Sequence, residues 1–330
     1  MKSMLFLTKD DIIKTFTMKD AVEADKQALM IFSKGETNAP LRTNVDIREE
    51  NGVSSYMPAY IGGEKPALGV KIVSTYLHNI ERGLPSVTGT MIVMDPKTGM
   101  VNAMVDGTYL TQLRTGAVQG VATDILARKD AKIGALIGTG GQAEKQLEAM
   151  MAARPLEEVR IFDLDQNRAE AFAKARQKDC TVRLIPTKTS RECVEGADII
   201  TTATPSNEPT FESAWVKDGA HINGIGSFTP SMFEIPKELI KRADRVIFDT
   251  TEGVLNAAGD FITPLKEEYI PKDKYSGELG QILLGEVEGR TSDQEITIFK
   301  SVGTAVLDLV VAGQIVEKAR EKGLGTEIPD

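Results

Sequence analysis

"IGALIGTGGQAEKQ", residues 133–146, is the stretch on which the fold turns. Its apolar run from Ile133 to Ile137 stops at Gly138, and Gly140 and Ala143 complete a G-x-G-x-x-A spacing at the head of a helix-forming segment. Gly138 permits a tight turn, Gly140 lets a diphosphate approach the backbone, and Ala143 lets the helix pack close to the strand. The first turn of that helix then offers oriented N–H groups to the anion. Alone the pattern is weak, because glycines punctuate many turns. The next apolar segment, "VRIFDLD" (159–165), ends in Asp163, where a carboxylate can accept both hydroxyls of an adenosine ribose. The candidate cofactor residues are therefore Gly138, Thr139, Gly140, Gly141, Gln142 and Asp163. A carboxylate at 163 repels a 2′-phosphate, which points to NAD, while Arg168 one turn further leaves NADP open.

Downstream the βα rhythm continues. "NRAEAFAKARQK" reads as a helix, and "CTVRLIP", "ADIITTAT", "GAHINGIG" and "ADRVIFDT" read as strands. Alternation of this kind predicts an α/β fold built on a Rossmann-type doubly wound parallel sheet. Thr202, Ala203 and Thr204 end one of those strands at the carboxyl edge, where open α/β sheets bind ligands, so they join the cofactor candidates. A P-loop is excluded because Glu144, not glycine, precedes Lys145, and no G-x-S-x-G elbow occurs.

Upstream the pattern differs. Residues 8–35 read as helical, with Thr8 as N-cap and Gly35 as stop. Residues 40–106 read as strands, including a hairpin around Asp95–Gly99, and "TYLTQLRTGAVQGVATDILAR" reads as a long helix. The tail after "TIFKSVG" is a second long helix. The chain thus divides into a split α+β substrate domain, 1–115 with 300–330, around a dinucleotide-binding insert, 116–299.

One residue in the outer part is out of character. In "PALGVKIVSTYLHN" (66–79), Lys71 interrupts an apolar, β-branched strand. A bare ammonium is costly to bury without an anion, so either Lys71 points into water from a wet face or it waits for a negative partner. Arg42 in "NAPLRTNV" and Arg114 in "LTQLRTGAVQG" stand in similarly apolar or small-residue settings. Such settings suit guanidinium groups with an obligatory partner.

Composition bounds the rest. The 330 residues are 41% hydrophobic and 26% charged, with a net charge of −9. Nucleic-acid binding needs a basic stripe and is disfavoured. No apolar run reaches membrane-spanning length, and "MKSMLFLTKDD" turns acidic before a signal peptide is complete. Cys180 and Cys193 lack CxxC spacing, which fits a reducing cytoplasm, and two histidines make a metal site improbable.

"MPAY", "LGVKIVS", "GLPSVTGTMIVMDPKTG", "LTQLRTGA", "IGTGGQA", "ADIITTAT", "HINGIGS" and "FKSVG" occur here in the order seen in the ornithine cyclodeaminase/mu-crystallin family, which the chain resembles over nearly its whole length. The resemblance implies that Arg42, Lys71 and Arg114 hold the α-carboxylate of an amino or imino acid beside the nicotinamide. Lys71 and Arg114 are then the catalytic candidates. It adds Ser227 and Val302 to the cofactor wall and implies a homodimer formed through the outer domain.

Two departures from the family bear on the reaction. Cyclodeaminases carry an aspartate acid/base after the "HIN" strand, where this chain has Phe228, and a glutamate before "MP", where it has Ser55. Expelling ammonia and closing a ring need a positioned proton carrier. Reducing a preformed cyclic imine needs mainly orientation. The expected activity is therefore an NAD(P)-dependent reductase of a cyclic imino acid such as Δ1-pyrroline-2-carboxylate, or an alanine-type dehydrogenase, with Phe228 either packing on the substrate or serving as a core residue of a repacked loop. The alternatives are an ornithine cyclodeaminase and a non-catalytic binder of the mu-crystallin kind. His78 reads as a solvated loop residue, His221 as structural, and Asp308 as a solvated or capping residue of the last helix.

Overall fold

The computed structural model describes residues 3–329, and the chain forms two compact units, 1–114 with 304–330, and 115–303. The crossings fall one residue before and four residues after the positions expected from the sequence.

The outer unit is a sheet backed by helices. Its strands are β1 (Met4–Leu7), β2 (Thr37–Asn38), β3 (Thr43–Ile47), β4 (Gly52–Ile61), β5 (Ala67–Tyr76), β6 (Val87–Met94) and β7 (Val101–Asp106). They run in the order β1-β7-β6-β5-β4-β2, β3 pairing with β4 and the C-terminal strand Thr326–Ile328 closing against β1. The first and last of these strands carry no clear sequence signal; each is short and held by its neighbour.

The helix expected over 8–35 is two helices, Lys9–Thr15 and Met18–Ser33. Phe16 is extended, and Thr17 opens the second helix with a capping box to Asp20, just as Thr8 opens the first with Asp11. The β6–β7 hairpin turns where expected, with the Gly99 N–H donating to the Asp95 carbonyl and Gly99 at φ +74°.

Alternation along β5 splits its residues between two faces. Gly69 and Lys71 face the covered side, Lys71 in register with Met57 of β4 and Met91 of β6, and Gly69 with Ala59 and Val93. Val70 and Ile72 lie on the opposite face with Tyr56, Pro58 and Ile92 and stay half-buried or exposed. A Cβ on Gly69 would sit 2.9 Å from Leu309 Cδ1, so the missing side chain lets the last helix, Ala305–Glu321, press onto the sheet. The lysine is therefore on the covered face and the aliphatics on the open one.

The inner unit is an all-parallel sheet of β8 (Ile133–Ile137), β9 (Glu158–Phe162), β10 (Arg183–Pro186), β11 (Ile199–Thr202), β12 (His221–Gly224), β13 (Arg245–Phe248), β14 (Gly277–Glu278) and β15 (Thr297–Lys300). Its order, β10-β9-β8-β11-β12-β15-β13-β14, reverses between β8 and β11, as a doubly wound fold requires. Two apolar layers, one centred on Ile200, Ile222 and Phe248 and the other on Leu147, Val159 and Ile161, cover the sheet.

Candidate functional site

The outer unit holds a buried charge cluster. Lys71 is 1% exposed, and its Nζ lies 2.6 Å from Asp308 Oδ2. Arg114, on the helix Gly107–Leu126, donates from Nε to Asp308 Oδ1 at 2.8 Å. Asp308 is fully buried, one turn into the last helix. The reading of Asp308 as a solvated or capping residue is therefore corrected: it is the anion on which both cations converge. A lone acid among Leu307, Leu309, Val310 and Val311 was the signal that could have found it, because nothing in "AVLDLVV" gives a carboxylate a reason to exist without a buried cation. The solvated reading of Lys71 fails for the same reason.

Lys71 is pulled down to about 7, first by burial, with Asp308 opposing the shift and Arg114 and Arg42 adding to it. Arg42 thus lies close enough for its charge to be felt at Lys71. Burial works against the Asp308 anion, but Arg114 and Lys71 outweigh it and hold the carboxyl below its usual range. Arg114 spends Nε on Asp308, which leaves its Nη groups for a second, bidentate carboxylate. A fourth group completes the cluster. Asp25, on the helix Met18–Ser33, is fully buried, and neither carboxyl oxygen has a hydrogen-bond partner among the described residues. Sequence reasoning passed over it.

The inner unit holds the dinucleotide motif at the reversal point of its sheet. Gly138 adopts φ +94°, and a Cβ there would stand 2.7 Å from the Ala203 carbonyl oxygen, so the turn after β8 and the end of β11 meet with no room for a side chain. Nothing lies within 4 Å of where a Cβ of Gly140 would project, and Gly140 and Gly141 are exposed. Gln142 stands at the N-cap position of the helix Ala143–Ala153, its buried Oε1 without a hydrogen-bond partner among the described residues. Asp163 Oδ2 accepts from the Thr139 N–H at 2.9 Å and hydroxyl at 2.6 Å, which fixes the glycine loop to the end of β9. Burial works against the Asp163 anion, but Thr139 and the Asp165 N–H hold it below the usual range, with Arg168 assisting from an exposed position. An open backbone cradle, a free helix N-terminus and an ionised carboxylate fit an adenine dinucleotide.

The remaining candidates sit around a second buried cluster. Glu234 accepts from the Thr204 N–H and hydroxyl through Oε1 and from the Gly226 and Ser227 N–H groups through Oε2. The Ser227 hydroxyl donates to Asp260 and accepts from Lys300 Nζ at 2.8 Å. Ser227 is thus fully buried with its N–H and hydroxyl both engaged, and the cluster ties together the loops after β11 and β12. Thr202 is also fully buried, its hydroxyl turned to the Asn223 carbonyl, whereas Ala203 is half-buried. Asp249 pins the "SVG" segment by accepting from the Ser301 hydroxyl and the Val302 and Gly303 N–H groups. Phe228 is 38% exposed. Ser55 donates to Asn44 Oδ1 at 2.7 Å, a cross-strand pair without an acid.

His78 is exposed beside Glu81, and burial drives His221 down to about 3, a neutral ring between Thr297 and Asn223. Among the described residues there is no cluster of three metal-ligating side chains, and no helix is long and apolar enough to cross a membrane.

The chain is similar to known proteins over nearly its whole length. The family described as ornithine cyclodeaminase/mu-crystallin matches residues 2–323. A Δ1-pyrroline-2-carboxylate reductase of Bacillus cereus is 38% identical over 325 residues, covering 98% of this chain and 99% of that protein. The structure of the Thermococcus litoralis Δ1-pyrroline-2-carboxylate reductase in complex with NADH and L-proline superposes with a TM-score of 0.95 at 39% identity, covering 98% of this chain and 100% of that one. An archaeal alanine dehydrogenase dimer with bound NAD gives 0.92 at 31% identity and covers 99% of both chains.

Proposed function

The chain belongs to the ornithine cyclodeaminase/mu-crystallin family, and from that premise we propose that it is an NAD-dependent reductase of a cyclic imino acid, converting Δ1-pyrroline-2-carboxylate to L-proline. The observation that carries this reading is the Lys71–Asp308–Arg114 cluster, a buried pair of cations with hydrogen-bonding capacity beyond their shared aspartate. Its chemistry suits one small carboxylate. The near-complete match to Δ1-pyrroline-2-carboxylate reductases supports the choice of substrate.

When bound, NADH supplies a hydride to the imine carbon, and the imine nitrogen takes a proton. Gly138, Gly140 and the N-terminus of the helix Ala143–Ala153 would hold its diphosphate, and Asp163 its adenosine ribose. Lys71 and Arg114 hold the substrate carboxylate, which fixes the orientation of the C=N bond. With Phe228 and Ser55 at the positions where a cyclodeaminase carries its acids, the chain lacks those carriers for expelling ammonia. An alanine-type dehydrogenase would use the same carboxylate anchor, and the archaeal relative keeps that reading in play.

A homodimer is supported by the open, apolar face of the β4–β5–β6 sheet, and two free cysteines, Cys180 and Cys193, suit a reducing cytoplasm. The deciding experiment follows NADH and NADPH absorbance with Δ1-pyrroline-2-carboxylate, pyruvate plus ammonia, and L-ornithine. Stoichiometric oxidation of NADH by the cyclic imine, in preference to the other two, is expected. Ammonia release from ornithine without net cofactor turnover would overturn the reading.

A further inference from the structure

The four buried groups of the outer unit can be counted as charges. Lys71 and Arg114 contribute two positive charges and Asp308 one negative. The count then depends on Asp25. If Asp25 were ionised, it would cancel the excess positive charge that Lys71 and Arg114 carry over Asp308, and only the half-buried Arg42, whose charge reaches Lys71, would be left to offer a substrate carboxylate. We propose that Asp25 is a neutral carboxylic acid that sets the charge of the carboxylate site, leaving the buried Lys71–Asp308–Arg114 cluster one net positive charge to offer a substrate carboxylate. This rests on the reading of Lys71 and Arg114 as the substrate's carboxylate anchor, and Asp25 acts through Arg114 without touching substrate.

Geometry supports the neutral form. Asp25 is fully buried, and neither oxygen accepts a hydrogen bond from any described residue. An ionised carboxylate without donors is among the costliest groups to bury, and such a group sheds its charge by taking a proton. Its neighbours differ from those of Asp308, which has an ammonium on one oxygen and a guanidinium N–H on the other. The charged groups that act on Asp25 are Arg114, from the helix Gly107–Leu126, and Asp308, from the last helix. Burial pushes Asp25 up, Arg114 opposes that, and Asp308 adds to it. On its own helix the exposed Glu23 and the half-buried Lys26 pair at 2.9 Å.

A neutral Asp25 is also what the cation pair needs. A second anion beside Arg114 would compete directly with the substrate carboxylate for its Nη groups. The protonated acid keeps the space filled and the guanidinium uncommitted.

The test replaces Asp25 by its neutral isostere in the full chain. Asp25→Asn should fold, keep kcat, and leave KM for Δ1-pyrroline-2-carboxylate within about twofold of wild type. The infrared difference spectrum, wild type minus Asp25→Asn at neutral pH, should show a protonated carboxyl C=O band and no carboxylate band. Competitive inhibition by cyclopentanecarboxylate, which has the ring and the carboxylate but no nitrogen, should be equally unchanged. A carboxylate band, or inhibition tightening many-fold in Asp25→Asn, would mean that wild-type Asp25 is ionised and would overturn the proposal. Should Asp25→Asn not fold, Asp25→Ser takes its place with the same readouts, the infrared bands of the wild type deciding as before. The infrared band does not depend on the reaction: if it appears while the cyclic imine is not a substrate, the reading of the activity fails and the neutral acid stands.

Discussion

Lys71 has three candidate environments, namely water, a protein anion and a substrate anion, and the structure gives it the second. Its ammonium is shared with Asp308, so removing it has two consequences. Lys71→Met strips Asp308 of one of its two cations, and breaking a buried pair from one side costs about 3–5 kcal/mol. The variant should melt lower than wild type, and the double variant Lys71→Met/Asp308→Asn should recover part of the loss. Catalysis should recover in neither, with kcat/KM for the cyclic imine down at least about a hundredfold from the loss of one desolvated charge contact. Near-normal kcat/KM in Lys71→Met would show that the lysine serves the fold alone. The proton on Lys71 gives a second check. With its pKa lowered to about 7, the ammonium is present below that pH and lost above it. Affinity for an anion therefore falls as pH rises, and the inhibition constant of cyclopentanecarboxylate should climb between about pH 6 and about pH 9. A flat profile over that range would mean that Lys71 keeps its proton or does not meet the carboxylate.

Elements positioned by local sequence were legible; contacts made across long separations were not. The turn after β8 was readable because only glycine suits its conformation: Gly138 at φ +94° faces the Ala203 carbonyl with no space for a methyl group. Gly138→Ala forces a left-handed residue and a backbone clash together, so it should cost about 1–3 kcal/mol of stability. It should also raise KM for NADH more than tenfold while cyclopentanecarboxylate still binds the cofactor-free protein normally. Unchanged NADH affinity would remove the glycine loop from the cofactor site. The break between the first two helices was also written locally, in Thr17 and Asp20, but the apolar periodicity runs through it and hid the second capping box. Asp308 shows the opposite case. Its partner Arg114 is 194 residues away in the chain, and no local rule connects a helical acid to a guanidinium at that distance. Asp25 was hidden more deeply still, since a charged letter on an amphipathic helix ordinarily means a wet face, and its buried neighbours Ala21, Ala24 and Ala28 are too small to announce a core.

At the scale of the whole molecule, the unresolved debt is the open face of the outer sheet. Both faces of β4, β5 and β6 are apolar, yet helices cover only the one that carries Met57, Lys71 and Met91. The other presents Tyr56 at 39% exposure and Tyr60 at 42%, with Pro58, Val70, Ile72 and Ile92 between them. Contiguous apolar surface of this kind on a sheet marks an interface. Val45 on β3, 48% exposed, pairs with Ser54 on the same face and extends the patch toward the sheet's margin. A second copy of the chain is the simplest cover, because the same patch can meet itself about a two-fold axis. The protein should therefore run at twice its chain mass by light scattering at micromolar concentration. Tyr56→Asp places a charge at the edge of that face on a residue already partly in water, so the single chain should fold normally while the dimer dissociates at concentrations at least about tenfold higher than for wild type. Wild type running at single-chain mass, or Tyr56→Asp leaving the dimer intact, would assign the open face another role.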